Sequence, residues 1–150
     1  MSAWAKRVDW FWPALLGCIA CWGVTGFEIV DPRNIGWLAG GLDPTQHYLG
    51  WRFFLQGPWS FPVGLNPNFG MDLSSAIVFS DSLPLLAFFF KPFASALSSP
   101  FQYFGIWTLL CFMLQAQFAY FLLRELTSIR FSQVAGVILF VFSPAMLWRI

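Results

Sequence analysis

The sequence predicts an all-α membrane protein, a polytopic transmembrane helical bundle with about four spans. Two observations predict this fold class. Hydrophobic residues make up 58% of the 150 residues and charged residues only 10%, whereas a soluble domain carries about 25% charged residues. Apolar segments of bilayer-spanning length also recur along the chain. We expect them to form spans at about residues 10–30, 74–97, 101–123 and 131–150.

The first apolar segment, residues 10–30, reads as a membrane span rather than a cleaved signal peptide. A signal peptide has a shorter apolar core, roughly 7–15 residues, which ends at a small-residue cleavage site. The sequence Phe27-Glu28-Ile29-Val30 offers no such site. Lys6 and Arg7 precede the segment, and the positive-inside rule then places the N-terminus in the cytoplasm.

Residues 31–73 form a long loop on the outer side of the membrane, rich in glycine, proline and asparagine. Within this loop we expect one helix, from Asp43 to about Gln56. Asp43 is predicted to be its N-cap and Pro44 its first helical residue. Aromatic side chains cover most of its surface, which is typical of a helix that lies in the membrane interface.

Asp43 and His47 are the first candidate site residues. Asp43 has an ordinary explanation as a helix cap, but an acid held at the membrane surface also serves as a general base or a metal ligand. His47, the single histidine, lies one turn later on the same helix face. Arg52 falls on a different stripe of the helix, where it either binds a lipid phosphate or extends toward the interface.

Asp81 is the second candidate acid, because ionisable groups inside apolar segments usually face a cavity or a partner. It either caps the second span, with Pro84 in the first turn, or acts as a functional acid. Lys91 and Arg149 are expected to be interface charges. Arg149 follows a Ser143-Pro144 break that can open onto a cavity, which makes it a further candidate for substrate binding.

The chain has no phosphate-binding glycine loop, dinucleotide fingerprint, zinc-protease motif or nucleophile elbow. We therefore expect no nucleotide cofactor, and a divalent cation on Asp43 is the one metal that the acids would suit. A net charge of +1 without a basic cluster gives no reason to expect nucleic acid. Acid, imidazole and guanidinium groups at the interface suit a phosphate-linked lipid donor.

Several motifs resemble those of a bacterial multi-pass family that is catalogued as a domain of unknown function and related to GT-C-type glycosyltransferases. The resemblance runs from Gly40 onward. Its motifs are Gly41-Leu42-Asp43-Pro44, His47-Tyr48-Leu49-Gly50-Trp51, Trp59-Ser60-Phe61-Pro62-Val63-Gly64, Ser80-Asp81-Ser82-Leu83-Pro84-Leu85, Phe101-Gln102-Tyr103-Phe104-Gly105-Ile106-Trp107 and Ser143-Pro144.

The resemblance implies a GT-C-like membrane module in a bacterial inner membrane. Such enzymes transfer a sugar from a polyprenyl-phosphate carrier to a glycan or lipid acceptor at the outer face. By their pattern Asp43 would be the catalytic acid and Asp81 a secondary one, with His47, Arg52 and Arg149 binding substrate. GT-C enzymes often have two adjacent acids in this loop, whereas here Pro44 follows Asp43.

Two other functions are compatible with the same residues. Proline-broken apolar segments also line transport paths, which would suit a flippase or transporter of lipid-linked glycans. A non-catalytic membrane subunit would use Asp43 as a cap only. Since the chain stops directly after an apolar run, we expect it to be the N-terminal part of a longer multi-pass protein.

Overall fold

A computed structural model describes the backbone of residues 3–148 and the side chains of residues 11–148 except Leu42. The chain divides into two compact units: unit 1 comprises residues 3–31 and 104–148, and unit 2 comprises Pro32–Tyr103. The α-helices of the described residues are α1 (Ala3–Thr25), α2 (Leu42–Gln56), α3 (Pro84–Phe90), α4 (Phe104–Leu126), α5 (Arg130–Val141) and α6 (Pro144–Leu147).

Unit 1 is built around the packing of α1 against α4. Gly17 lets the two backbones approach closely, because a Cβ atom at this position would lie 2.4 Å from the carbonyl oxygen of Phe112. Small residues commonly allow such contacts between membrane helices. The Trp12 ring packs edge-to-face on Tyr120, with 5.1 Å between the ring centroids. The interface therefore combines one close backbone contact with aromatic packing.

The outward face of α4 is apolar up to Leu122, and its exposed charged residues, Arg124 and Glu125, lie in the last turn. Its large exposed side chains follow a spacing of four residues: Ile106, Leu110, Leu114, Phe118 and Leu122. A soluble helix would carry polar residues on such a face. Two helical segments, Phe104–Leu126 and Arg130–Leu147, are long and apolar enough to cross a membrane. They correspond to the third and fourth predicted spans, and the predicted break at Ser143-Pro144 separates α5 from α6.

The four-span bundle as a whole is not confirmed. Helix α1 has 23 residues, Ala3–Thr25, and its described side chains, from Phe11 onward, do not form one of the two spanning candidates. Residues 74–97 were predicted to form the second span, but they contain a 3-10 turn at Ile77–Ser80, the short helix α3 and a second 3-10 segment at Lys91–Ala96. Pro92 explains the end of α3, since proline lacks the N–H that a continuing helix would need.

Unit 2 is organised around α2, which confirms the helix predicted in the long loop. Its largest side chains, Trp51 and Phe54, are fully buried within the unit. The Trp51 indole N–H donates a hydrogen bond to the Phe101 carbonyl at 3.1 Å. One face of α2 is thus a core face of unit 2, and its placement in the membrane interface stays a prediction.

A small antiparallel hairpin is the one departure from an all-α fold among the described residues. Strand β1 (Leu65–Asn66) pairs with β2 (Ser75–Ala76), and Leu65 lies opposite Ala76. Asn66 is buried and its side-chain amide donates to the Gly50 carbonyl of α2 at 2.9 Å. The hairpin is therefore attached to the middle of α2.

The packing of α1 on α4 predicts opposite effects of alanine at two glycines of α1. Gly17→Ala should destabilise the protein by about 1–3 kcal/mol, the usual cost of overpacking, because its Cβ would collide with the Phe112 backbone. Gly23→Ala is the matched control, since a Cβ at Gly23 meets nothing within 4 Å and alanine is the better helix former. Thermal unfolding in detergent, followed by circular dichroism, measures both. An unfolding temperature for Gly17→Ala as high as that of Gly23→Ala would contradict this account.

Candidate functional site

The candidate site lies where α2 contacts the turn formed by residues 80–82, which we call the Asp81 turn. Gly50 permits this contact. A Cβ atom on Gly50 would lie 2.3 Å from the Ser80 side chain and 2.5 Å from the Ser82 hydroxyl. Only a glycine at this position lets the helix lie so close to the two serines.

Buried hydrogen bonds hold the Asp81 turn on α2. The Ser82 hydroxyl donates to the His47 carbonyl at 2.6 Å, and the Ser80 hydroxyl donates to the Ile77 carbonyl at 3.0 Å. The two serine hydroxyls are 2.8 Å apart, and the Tyr103 hydroxyl donates to the Ser82 carbonyl. Burial raises the pKa of the Tyr103 phenol, so this hydroxyl remains a donor.

Asp81 itself points away from this buried network. It is exposed, whereas Ser80 and Ser82 on either side of it are fully buried. Its backbone is left-handed with φ 49°, and so is that of Leu83 with φ 51°. Such conformations cost about 1–3 kcal/mol per residue and cluster at functional sites. Hydrogen bonds worth about 0.5–1.5 kcal/mol each offset this cost, so the network presents the Asp81 carboxylate in a fixed turn.

His47 joins the helix to the Asp81 turn through its imidazole ring. Its Nδ1 lies 3.1 Å from the Ser80 carbonyl oxygen. A carbonyl oxygen only accepts hydrogen bonds, so Nδ1 carries the proton and Nε2 of the neutral ring has a free lone pair. An anchored Nδ1–H is a common way to orient a histidine whose Nε2 acts as a base or a ligand. The hydrogen bond to the Ser80 carbonyl therefore leaves Nε2 as the nitrogen that can act as a base or a ligand.

Asp43 is not the N-cap of α2, which corrects the sequence prediction. Gly41 occupies the cap position with φ 114°, and no side chain caps the helix there. The Thr45 hydroxyl instead connects the start of α2 to the preceding backbone. It accepts a hydrogen bond from the Gly41 N–H at 3.3 Å and donates one to the Leu38 carbonyl at 2.7 Å. Asp43 is exposed in the first turn of α2. A role as the N-cap therefore does not account for an aspartate at position 43.

The prediction that Asp81 caps the second span is also wrong. Leu83 holds the N-cap position of α3, again without a side-chain hydrogen bond, although Pro84 does begin the helix as predicted. Asp81 instead ends the preceding 3-10 turn. The reason is local: two left-handed residues between Ser80 and Pro84 turn the backbone away from any cap geometry.

The remaining candidates are not brought to this site by any described contact. The Arg52 guanidinium donates to the Ser99 hydroxyl at 3.2 Å, on a different stripe of α2 from His47, as its sequence position predicts. Arg149 lies outside the described residues. Among the described side chains of residues 11–148, those of His, Cys, Asp and Glu form no group of three that could hold a metal ion. The divalent cation suggested for Asp43 therefore has no ligand set among these residues.

Lys91, which the sequence predicts to be an interface charge, is buried within unit 2. Its ammonium donates to the carbonyls of Phe54 and of Pro58, the latter at 3.2 Å. It also lies 3.8 Å from the centroid of the Phe54 ring and 4.9 Å from that of Trp59. A cation at the last turn of a helix stabilises the free carbonyls and the helix dipole. Lys91 thus fixes the C-terminal end of α2.

Comparison with known proteins places the chain in a family. The family model described as a domain of unknown function, DUF6311, matches residues 14–150. The chain belongs to the DUF6311 family. This confirms the predicted membership of a family of unknown function. Searches of curated proteins and of solved structures find no match to this DUF6311 chain.

The buried Lys91 predicts a pH dependence of stability in this DUF6311 protein. Burial lowers the pKa of Lys91 below its ordinary value of 10.5, so the folded state releases this proton at lower pH than the unfolded state. The contribution of Lys91 to the free energy of unfolding therefore rises as the pH approaches 10.5. Lys91→Met should lack this rise. Denaturant unfolding of both proteins between pH 7 and 10.5 measures it, and equal pH profiles would contradict the burial of a titrating lysine.

Proposed function

We propose that this DUF6311 protein is a membrane glycosyltransferase that takes a sugar from a polyprenyl-phosphate carrier. The observation that carries this proposal is the hydrogen bond between His47 and the Ser80 carbonyl. It joins the helix face that bears Asp43 and His47 to the turn that bears Asp81. A glycosyltransferase of this kind needs acidic groups gathered at one exposed place, and this contact supports such a gathering.

The proposed reaction is a single displacement with inversion. A carboxylate takes the proton of the acceptor hydroxyl, which is a poor nucleophile without a base. The hydroxyl oxygen forms a bond to the anomeric carbon of the sugar. The bond from that carbon to the phosphate oxygen breaks, and the lipid phosphate leaves with the electron pair. Cationic side chains neutralise the departing phosphate, and Arg52 is the cation of unit 2 proposed for this role.

Asp81 is the better of the two candidate bases in this proposal. Both acids are exposed. Buried hydrogen bonds of the neighbouring Ser80 and Ser82 fix the backbone of Asp81, whereas Asp43 lies in the first turn of α2, where no side chain caps the helix. Catalytic groups must be held close to their productive geometry. We therefore assign Asp81 as the base, and we assign Asp43 and His47 to binding and orienting the acceptor.

Two amide side chains of unit 1, those of Gln115 and Gln133, are the observation that speaks against a transport path. The Gln115 side-chain amide donates to the Phe140 carbonyl at 2.8 Å, and that of Gln133 donates to the Thr127 carbonyl at 2.7 Å. Both amides therefore serve packing between α4 and the α5 region. A transport path would instead expose such groups to a cavity between spans. Gln117 has a buried amide nitrogen without a hydrogen-bond partner.

The proposal predicts that Asp81→Asn abolishes most sugar transfer. The protein is reconstituted in liposomes with polyprenyl-phosphate glucose or polyprenyl-phosphate mannose, tritiated in the sugar, and transfer to membrane lipids or glycans is measured. Losing a general base should lower turnover about 10²–10⁴-fold. Asp43→Asn should give a smaller loss, because its proposed role is to bind the acceptor.

Asp72→Asn is the matched control, since Asp72 is an exposed acid of the same unit in the hairpin loop. It should transfer sugar at the rate of the unsubstituted protein. Full turnover by both Asp81→Asn and Asp43→Asn would remove the proposed site. If the unsubstituted protein transfers sugar from neither donor, the proposed reaction is rejected.

A further inference from the structure

Four exposed apolar side chains lie in the segments that flank the hairpin of unit 2, and we call them the Phe61–Phe79 cluster. Phe61 and Val63 lie before β1 and are 90% and 67% exposed. Val78 and Phe79 lie after β2 and are 53% and 77% exposed. A phenylalanine exposed to this degree has almost no contact with the rest of its own chain.

Backbone hydrogen bonds bring the two parts of this cluster together. The Ile77 N–H donates to the Gly64 carbonyl at 2.8 Å, which extends the pairing of β1 with β2 by one step. The Leu65 N–H donates to the Pro62 carbonyl at 3.0 Å and closes the turn that presents Phe61 and Val63. The cluster is therefore formed by two adjacent turns with a defined backbone.

The surroundings of the cluster lack the features of a protein interface. The sequence contains no charged residue from Phe53 to Met71 or from Leu73 to Ser80. Protein interfaces have a polar rim and are often steered by complementary charges. The cluster thus lies in uncharged stretches of the sequence, and the exposed acid Asp81 follows them directly. Protruding phenylalanine and valine beside such a polar group suit the headgroup–acyl boundary of a lipid bilayer, which demands no matching shape.

The chain connects unit 2 directly to a helix that is long and apolar enough to span a membrane. Unit 2 is inserted between Asp31 and Phe104, and the ends of the insertion meet in unit 1. A Cβ atom on Gly105 would lie 1.7 Å from the Ile29 carbonyl oxygen, so the backbones touch there. Gly105 is the second residue of α4, a helix long and apolar enough to span a bilayer. The chain thus leaves and re-enters unit 1 at one end of this helix.

We infer that the Phe61–Phe79 cluster inserts into the headgroup–acyl boundary of the phospholipid bilayer. It is a second membrane contact, made by loops and separate from the spanning helices. Asp81 follows Phe79 by two residues, so the insertion holds the Asp81 turn at the level of the lipid headgroups. The inference needs no assumption about the reaction, because it is tested without any sugar donor.

Site-specific fluorescence of the whole chain in vesicles tests this inference. Phe61→Cys, Val63→Cys and Phe79→Cys are each labelled with an NBD maleimide in dioleoylphosphatidylcholine vesicles that contain a doxyl-labelled phosphatidylcholine. Gln56→Cys is the matched control, since Gln56 is an exposed polar position of unit 2. The unsubstituted protein reports the background from Cys18, Cys21 and Cys111. Three positions keep the test decisive if one variant fails to fold.

We expect the doxyl lipid to quench the labels at the cluster at least threefold more than the label at Gln56. Equal quenching at all positions would overturn the inference. Blue-shifted emission at the cluster without quenching by the doxyl lipid would also overturn it, because a protein surface, such as a second copy of the chain, would then cover the cluster.

Discussion

The close contact between Gly50 and the two serines of the Asp81 turn is the constraint on which unit 2 depends. Without a side chain at Gly50, α2 lies against Ser80 and Ser82, and His47 one turn earlier reaches the Ser80 carbonyl. The hairpin is attached to the same helix turn, since Asn66 donates to the Gly50 carbonyl. One glycine thus determines where the Asp81 turn, the hairpin and the imidazole lie relative to α2.

Local signals in the sequence predicted α2, α4 and the break between α5 and α6. Gly57-Pro58 ended α2 and Ser143-Pro144 separated α5 from α6 where expected, because the effect of glycine and proline on the backbone does not depend on distant residues. The start of α2 was less well predicted. Asp-Pro is a favoured helix opening, but the backbone at Gly41 and the reach of Thr45 to Leu38 decided the cap, and neither is visible in residue preferences.

The site itself was only partly predictable. Asp43, His47 and Asp81 stood out because polar residues are rare in this chain, whereas Ser80 and Ser82 gave no signal until the contact with Gly50 was known. The burial of Lys91 depends on the Phe54 and Pro58 carbonyls, which are more than 30 residues away in sequence. Residues 74–97 do not form one continuous helix, since hydropathy does not register left-handed residues such as Asp81 and Leu83.

The tautomer of His47 tests the central contact most directly. His47 is the only histidine of the chain, so histidine labelled with nitrogen-15, in protein purified without a histidine tag, gives one imidazole to assign by NMR. The contact with the Ser80 carbonyl requires the neutral ring to carry its proton on Nδ1, and Gly50→Ala should disturb this state by displacing the turn. A neutral ring protonated on Nε2 in the unsubstituted protein would contradict the account.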